Sequence, residues 1–222
     1  MPPRPTPARR RRAPLTRDRI LVTALALADR HGLEALTMRA LGEALSVEAM
    51  SLYNHVRGKA DLLTGIGDLV LDQIEFPTKG GNWRDGMRAA MRSAWRVTTA
   101  HPNVVPLLLG SPADTPGSRA LAERVLAGMV PAGFTPAEAH RIFRLVQTYT
   151  LGSALMLQRT PSPREVRGMV TALEGSDEFP LLRRALVDGP EIDAEADFEA
   201  GIELIMRARP SPSGRPRAST GR

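Results

Sequence analysis

Residues 37–59, TMRALGEALSVEAMSLYNHVRGK, constrain this chain most, because they hold two short amphipathic helices with almost no linker between them. Thr37 is of the type that caps helices, and Met38, Leu41 and Leu45 recur at the i, i+3, i+7 spacing of one helical face. Gly42 lies among them. A position without a side chain there lets the next helix cross at close range, as a helix pair at about 90–120° requires. Ser46 and Val47 make the turn, and a second helix is predicted over about residues 48–55, with Leu52 and Val56 on the same core as Val47. Its other face carries Ala49, Met50, Ser51 and Asn54, with Tyr53 and His55 beside them. Small, apolar and hydrogen-bonding groups of this kind suit base edges better than a solvating run of Lys and Glu. The segment reads as a helix-turn-helix whose second helix fits the DNA major groove.

From about residue 20 to 63 the chain resembles the DNA-binding domain of the tetracycline-repressor family of one-component bacterial regulators. The likeness is carried by Leu52-Tyr53-Asn54-His55-Val56, followed by Lys59 and Leu62-Leu63. It implies that Arg39 contacts a base, its fork matching guanine O6 and N7. Ala49, Met50 and Ser51 would meet thymine methyls, and Asn54 would pair with adenine or a phosphate. Thr37, Tyr53, His55 and Lys59 match positions used against the DNA backbone, which set register rather than sequence. Two positions depart from the pattern. Ser46 stands where the family commonly has Gly, so a positive φ there adds roughly 1 kcal/mol of strain. Glu48 stands where Ser, Thr or Asp often caps the second helix, which weakens the cap. The competing reading, a helical hairpin packed inside another all-α protein, gives no reason to expose Tyr53, Asn54, His55, Arg57 and Lys59 along one edge.

The chain has 222 residues, of which 42% are hydrophobic and 4% aromatic, enough apolar surface for a sizeable core in one or two domains. No convincing period-2 run appears, so the fold class is all-α. Absence of Cys excludes disulfides, thiolate metal sites and thiol catalysis. The net charge of +6 resides in the ends: residues 1–15 carry five Arg and no acid, and residues 209–222 carry four Arg. Residues 16–62 hold six basic and six acidic groups, so the folded body is not a broadly basic nucleic-acid protein. The Pro-rich ends bury too little apolar surface to fold. Arg9 to Arg12 either follow the phosphate backbone or enter a minor groove of the DNA, or else form a solvated leader with no specific contact. The apolar run ILVTALALA at residues 20–28 is assigned to the first helix of the motif, capped by Thr16 and stopped by Gly32, rather than to a signal peptide. No stretch approaches the roughly 18 apolar residues of a membrane span, and a cytoplasmic protein is expected.

The organisation predicted is a basic arm (1–15), a DNA-binding domain (16–62), a ligand-binding and dimerisation domain (63–208) and a tail (209–222). In the third part Asn82 caps a helix over residues 83–100, and a short apolar helix or turn over 104–109 is followed by a loop to residue 117. Another helix spans roughly residues 118–130. Thr135-Pro136-Ala137-Glu138 is a capping box with Pro at the first helical position, opening a long helix through residue 158. Ser162-Pro163-Arg164-Glu165 repeats the device, and two more helices cover residues 179–187 and 194–207. Nine or ten helices fit in all.

This part resembles the C-terminal domain of the tetracycline repressors through Gly133-Phe134-Thr135, Tyr149-Thr150-Leu151-Gly152 and Phe198-Glu199-x-Gly201-Ile202. The resemblance implies a homodimer in which two helices pack against their mates as a four-helix bundle. Gly152 and Ser153 would permit close approach, and Phe198, Ile202 and Ile205 form a stripe at helical spacing. Packing within one subunit is the alternative. Trp95, His101, Leu107, Leu108, Gln147 and Met156 lie in segments that line the family's ligand cavity, which implies an apolar or amphipathic small-molecule effector. Leu108 falls near the place of a metal-ligating His in tetracycline-binding members, and the four His are scattered, so no metal and no other cofactor is expected. No GxxxxGK[ST], GxSxG or HExxH motif is present, which disfavours an enzyme. The expected function is a sequence-specific DNA-binding repressor acting on double-stranded DNA with an inverted repeat. A helical small-molecule enzyme and a bundle that binds another protein are the rival classes.

Overall fold

The computed structural model describes residues 14–77, 82–110, 114–174, 178–190 and 192–207. Among these there are eleven α-helices and no strand. Both Arg-rich ends, with the readings attached to Arg9 to Arg12, lie outside the described residues. The chain divides into two compact units with the boundary between Ile66 and Gly67, about one helical turn beyond the expected position. No helix of the described residues is long and apolar enough to cross a membrane.

The first unit contains α1 (Arg17–Ala35), α2 (Met38–Leu45), α3 (Ala49–Leu52) and the start of α4 (Lys59–Asp72). Thr16 caps α1 by accepting from the Arg19 backbone N–H at 3.2 Å, and Gly32, at φ 80°, breaks the helical path near its end. Burial of Ile20, Leu41, Leu52, Leu62 and Ile66 fills the core. Leu41 and Leu45 are buried as the helical spacing predicts, with Met38 half-buried beside them. Removing Leu side chains from such positions costs about 2–5 kcal/mol each, so this apolar stripe holds the small unit together.

The second helix of the motif is shorter than its periodicity predicts. It ends at Leu52, and the next three backbone N–H groups, of Tyr53, Asn54 and His55, bond to carbonyls three residues back rather than four. Those bonds tighten the last turn. The chain then reverses at Gly58, φ 135°, a region that only glycine enters freely.

The second unit holds the rest of α4, then α5 (Trp83–Ala100), α6 (Val105–Gly110), α7 (Pro116–Met129), α8 (Pro136–Leu157), α9 (Pro163–Ala172), α10 (Pro180–Asp188) and α11 (Ala194–Ile205). Helix α8 packs against α5, α6, α7 and α11. Thr135 with Glu138 and Ser162 with Glu165 form complete capping boxes. A third box, Thr115 with Ser118, starts α7 two residues earlier than expected. Met87, Met91, Met129, Phe198 and Ile202 are fully buried in the core of this unit. Across α5 and α11, Arg88 forks onto Glu203 and Arg92 onto Glu199, with closest contacts of 2.7 Å in each pair. These bonds hold both carboxyls below their ordinary pKa. Helices α9 and α10 pack on each other and bury no residue completely.

Phe198 and Ile202 correct the expected dimer stripe. They are 1% and 0% exposed, and Phe198 stacks between Trp95 (ring centroids 4.3 Å) and Tyr149 (5.4 Å). Side chains buried so completely within one subunit have no surface left for a second. Ile205 is half-buried against the same core, whereas Gly152 and Ser153 are half-buried beside an open groove.

Candidate functional site

The nine residues expected to meet DNA sit on α2, α3, the turns around them and, for Lys59, the first position of α4, and none is buried. Thr37 caps α2, its hydroxyl accepting from the Ala40 N–H at 3.1 Å, which fixes where the helix begins. Arg39 follows in the first turn with its side chain 88% exposed, its Nε donating to Glu43 Oε1 at 3.0 Å. An exposed pair at i, i+4 is worth only about 0.3–0.5 kcal/mol, so it orients the guanidinium without confining it.

Gly42 sets the distance between α2 and the turn. A β-carbon there would lie 2.9 Å from the Val47 carbonyl oxygen and 3.2 Å from the Ala49 nitrogen. Ser46 adopts the left-handed conformation (φ 56°, ψ 46°) that the turn requires, and its N–H bonds to Glu43 O at 3.1 Å. Glu48 makes no side-chain cap, as its type implies. Leu52 and Val56, 0% and 1% exposed, anchor one side of the segment. Its other side presents Met50, 72% exposed, with Tyr53 and Asn54 exposed and Ala49, Ser51 and His55 half-buried.

A clasp that the sequence reading did not include holds this surface in place. Arg17 Nη1 and Nη2 donate to Asp61 Oδ2 and Oδ1 at 2.9 and 2.8 Å, and Nη1 also donates to the His55 carbonyl at 3.0 Å. Asp61 Oδ2 accepts the Arg57 backbone N–H at 2.9 Å. The starts of α1 and α4 and the end of the recognition segment are thereby tied at one point. Asp61 in the first turn of α4 was a readable helix-start signal, but its partner lies 44 residues away.

The Arg17 fork, followed by the Arg57 N–H, lowers the Asp61 pKa from 3.8 to about 2. The unfolded chain therefore takes up this proton at higher pH than the folded one, so the clasp stabilises fully above pH 3.8 and ceases to do so as pH falls through about 2. Both side chains are partly solvated, 41% and 27% exposed, which limits the effect to about 1 kcal/mol. Asp61→Asn is expected to destabilise the first unit by that amount at pH 7, with the gap from the native protein about halved at pH 3. Denaturant titrations at the two pH values test this, and a gap independent of pH would rule out the clasp.

Among the described residues, the expected effector residues fall in several different surroundings. Trp95 is buried in the aromatic stack, His101 ends α5 with its N–H on Val97 O at 3.2 Å, and Leu107 and Leu108 are half-buried on α6. Met156 lines an open groove of about 570 Å³ with Tyr149, Gly152, Ser153 and Ile192. Gln147 alone of the six lines a cavity among α4, α5, α7 and α8, with walls from Leu71, Met87, Ala94, Leu121, Phe143 and Thr150. Sequence reasoning missed these wall residues because a cavity wall and a packed core share one apolar pattern. Among the described residues no three His, Cys, Asp or Glu side chains converge as metal ligands.

A helix-turn-helix unit joined in one chain to a larger helical unit with an internal apolar cavity defines a class of two-domain DNA-binding regulators. Residues 20–66 match the family profile of bacterial regulatory proteins, tetR family, and residues 76–207 match the tetracyclin repressor-like C-terminal domain. The chain belongs to the tetR family. It is 36% identical over 151 residues to an HTH-type transcriptional regulator of Saccharopolyspora erythraea, covering 68% of this chain and 64% of that protein's length. The HTH-type transcriptional repressor DrrR1 of Streptomyces coeruleorubidus is 29% identical over 189 residues, covering 82% of this chain and 68% of the repressor. Apo ActR from Streptomyces coelicolor superimposes with a TM-score of 0.78 at 30% identity, covering 88% of this chain and 94% of ActR. ActR in complex with actinorhodin gives a TM-score of 0.77 at 30% identity, covering 88% and 96%.

Proposed function

We propose that this protein is a homodimeric transcriptional repressor that binds a short inverted repeat in double-stranded DNA and is released by an apolar or amphipathic small molecule. The observation that carries the reading is the close α2–α3 packing around Gly42, which leaves Arg39, Met50, Tyr53 and Asn54 exposed on an anchored scaffold. Two such units one DNA turn apart, about 34 Å, would read the two halves of an inverted repeat. Arg39 reads a guanine, Ala49, Met50 and Ser51 face bases, Asn54 pairs with an adenine or a phosphate, and Thr37, Tyr53, His55 and Lys59 hold the DNA backbone. The half-buried Gly152 and Ser153 of α8 lie at the subunit contact. DrrR1, a repressor by name, and ActR, solved with actinorhodin, support repression and a small-molecule effector. The reading makes the protein a cytoplasmic regulator rather than an enzyme, and one that needs no metal.

Selection of bound duplexes from a random pool, in EDTA and at several salt concentrations, tests it. An inverted repeat is expected, with log K falling linearly in log salt. Arg39→Ala is expected to cost about 1–3 kcal/mol and to relax one base pair in each half-site. Lys59→Ala should weaken all sequences alike and reduce the salt slope by about one. Equal affinity for every duplex would overturn sequence-specific recognition, and an unchanged consensus with Arg39→Ala would remove that residue's base-reading role.

A further inference from the structure

The cavity of the second unit holds a polar group that its own fold leaves without a partner. Thr150 is 3% exposed, lines the cavity, and its Oγ1 makes no hydrogen bond. Thr98, the other threonine of the wall, is different: its hydroxyl is bonded to the Ala94 and Trp95 carbonyls at 2.7 and 3.1 Å. Gln147 lies three residues before Thr150 on α8, so the two side chains share a helical face and both line the cavity. No wall residue is ionisable.

Burying a hydroxyl without a partner is unfavourable, and the folded chain gains nothing from it. A carbonyl oxygen has two lone pairs, and the Thr150 O–H and a Gln147 N–H are two donors on adjacent turns. An ionised ligand would lose its hydration here with no countercharge to replace it. The cavity, about 50 Å³, has room for a water or two, well below the roughly 300 Å³ or more of a ligand site. An effector must therefore part the side chains of α5, α7 and α8. Met87 on this wall is a side chain that adapts at small cost.

We infer that Thr150 is a specificity-determining residue of the effector cavity, and that the effector is a neutral, largely apolar ring system bearing a carbonyl that accepts from Thr150 and Gln147. The inference rests on the proposed small-molecule response and goes beyond it by assigning the ligand's chemical class and the residue that selects it.

Three probes of one shape separate the contributions: fluorenone, with the carbonyl; fluorene, without it; and 9-fluorenecarboxylate, with a charge in its place. Calorimetry on the full-length protein is expected to show fluorenone binding about tenfold more tightly than fluorene, and no heat from the carboxylate. Thr150→Val is expected to bring fluorenone down to fluorene, leave fluorene unchanged, and hold or raise the Tm of the ligand-free protein. Thr150→Ser, which keeps the hydroxyl, is expected to keep the preference. Equal affinity for fluorenone and fluorene, absence of fluorenone binding, or a lowered Tm in Thr150→Val with the preference intact would each overturn the inference. Binding is read without DNA. Fluorenone that binds without loosening the protein from its operator would count against the repressor reading and leave the assignment of Thr150 standing.

Discussion

Phe198→Ala is expected to destabilise the second unit by about 3–5 kcal/mol while leaving subunit association unchanged. Phe198 is 1% exposed, and its ring is nearly parallel to both Trp95 (15°) and Tyr149 (5°), so one side chain links α5, α8 and α11. The Tyr149 hydroxyl is bonded to the Asp197 and Phe198 carbonyls at 3.0 and 3.1 Å, and lies where a side chain at Gly201 would have to go. Loss of the ring opens a cavity on three helices at once and removes two aromatic contacts, each worth about 0.5–1.5 kcal/mol beyond its buried area. The two tryptophans of the chain, Trp83 and Trp95, both belong to this unit, so their fluorescence during urea unfolding measures the loss. Sedimentation at matched concentrations measures association. A variant as stable as the native protein that sediments as a monomer would return Phe198 to the dimer interface.

What the sequence revealed was local. Thr16, Thr37, Thr135 and Ser162 each cap a helix with a bond to the residue three positions on, and such bonds can be read from neighbouring letters. The left-handed turn at Ser46 was signalled by the resemblance to a family that commonly has Gly at that position. Thr115-Pro116 has the same cap-and-proline form, but the surrounding Pro and Gly favoured a loop over a helix start. The end of α3 was not legible, because it depends on the Arg17 and Asp61 side chains and their distant bonds to the segment after Leu52. Periodicity marked Phe198 and Ile202 as apolar face, yet only the packing of α5 and α8 decides that their own subunit covers them. The same limit applies to the effector cavity. Leu71, Met87 and Phe143 carry no mark that separates a wall from a core, whereas Thr150 is distinguished only by a bond it does not make.

Gly42→Val is expected to abolish specific DNA binding with the second unit left intact. The first β-carbon would already press on the Val47 oxygen and the Ala49 nitrogen, at 2.9 and 3.2 Å, and both are backbone atoms that cannot rotate aside. Valine adds two methyl groups to that contact, and overpacking of this kind costs about 1–3 kcal/mol even where side chains can yield. The unit that absorbs the cost is small and has a correspondingly small margin. Its two ways of yielding are to unfold or to move α3 away from α2, and either one displaces Met50, Tyr53 and Asn54 relative to Arg39. Misplacement is enough to destroy base readout, since bidentate contacts require fixed geometry. Binding to the selected operator is expected to fall to the level of nonspecific duplex, and hydrogen exchange over residues 37–56 to accelerate. Tryptophan fluorescence, confined to the second unit, should report an unchanged urea midpoint. Operator affinity within twofold of the native protein would show that the α2–α3 spacing is not what presents the reading surface.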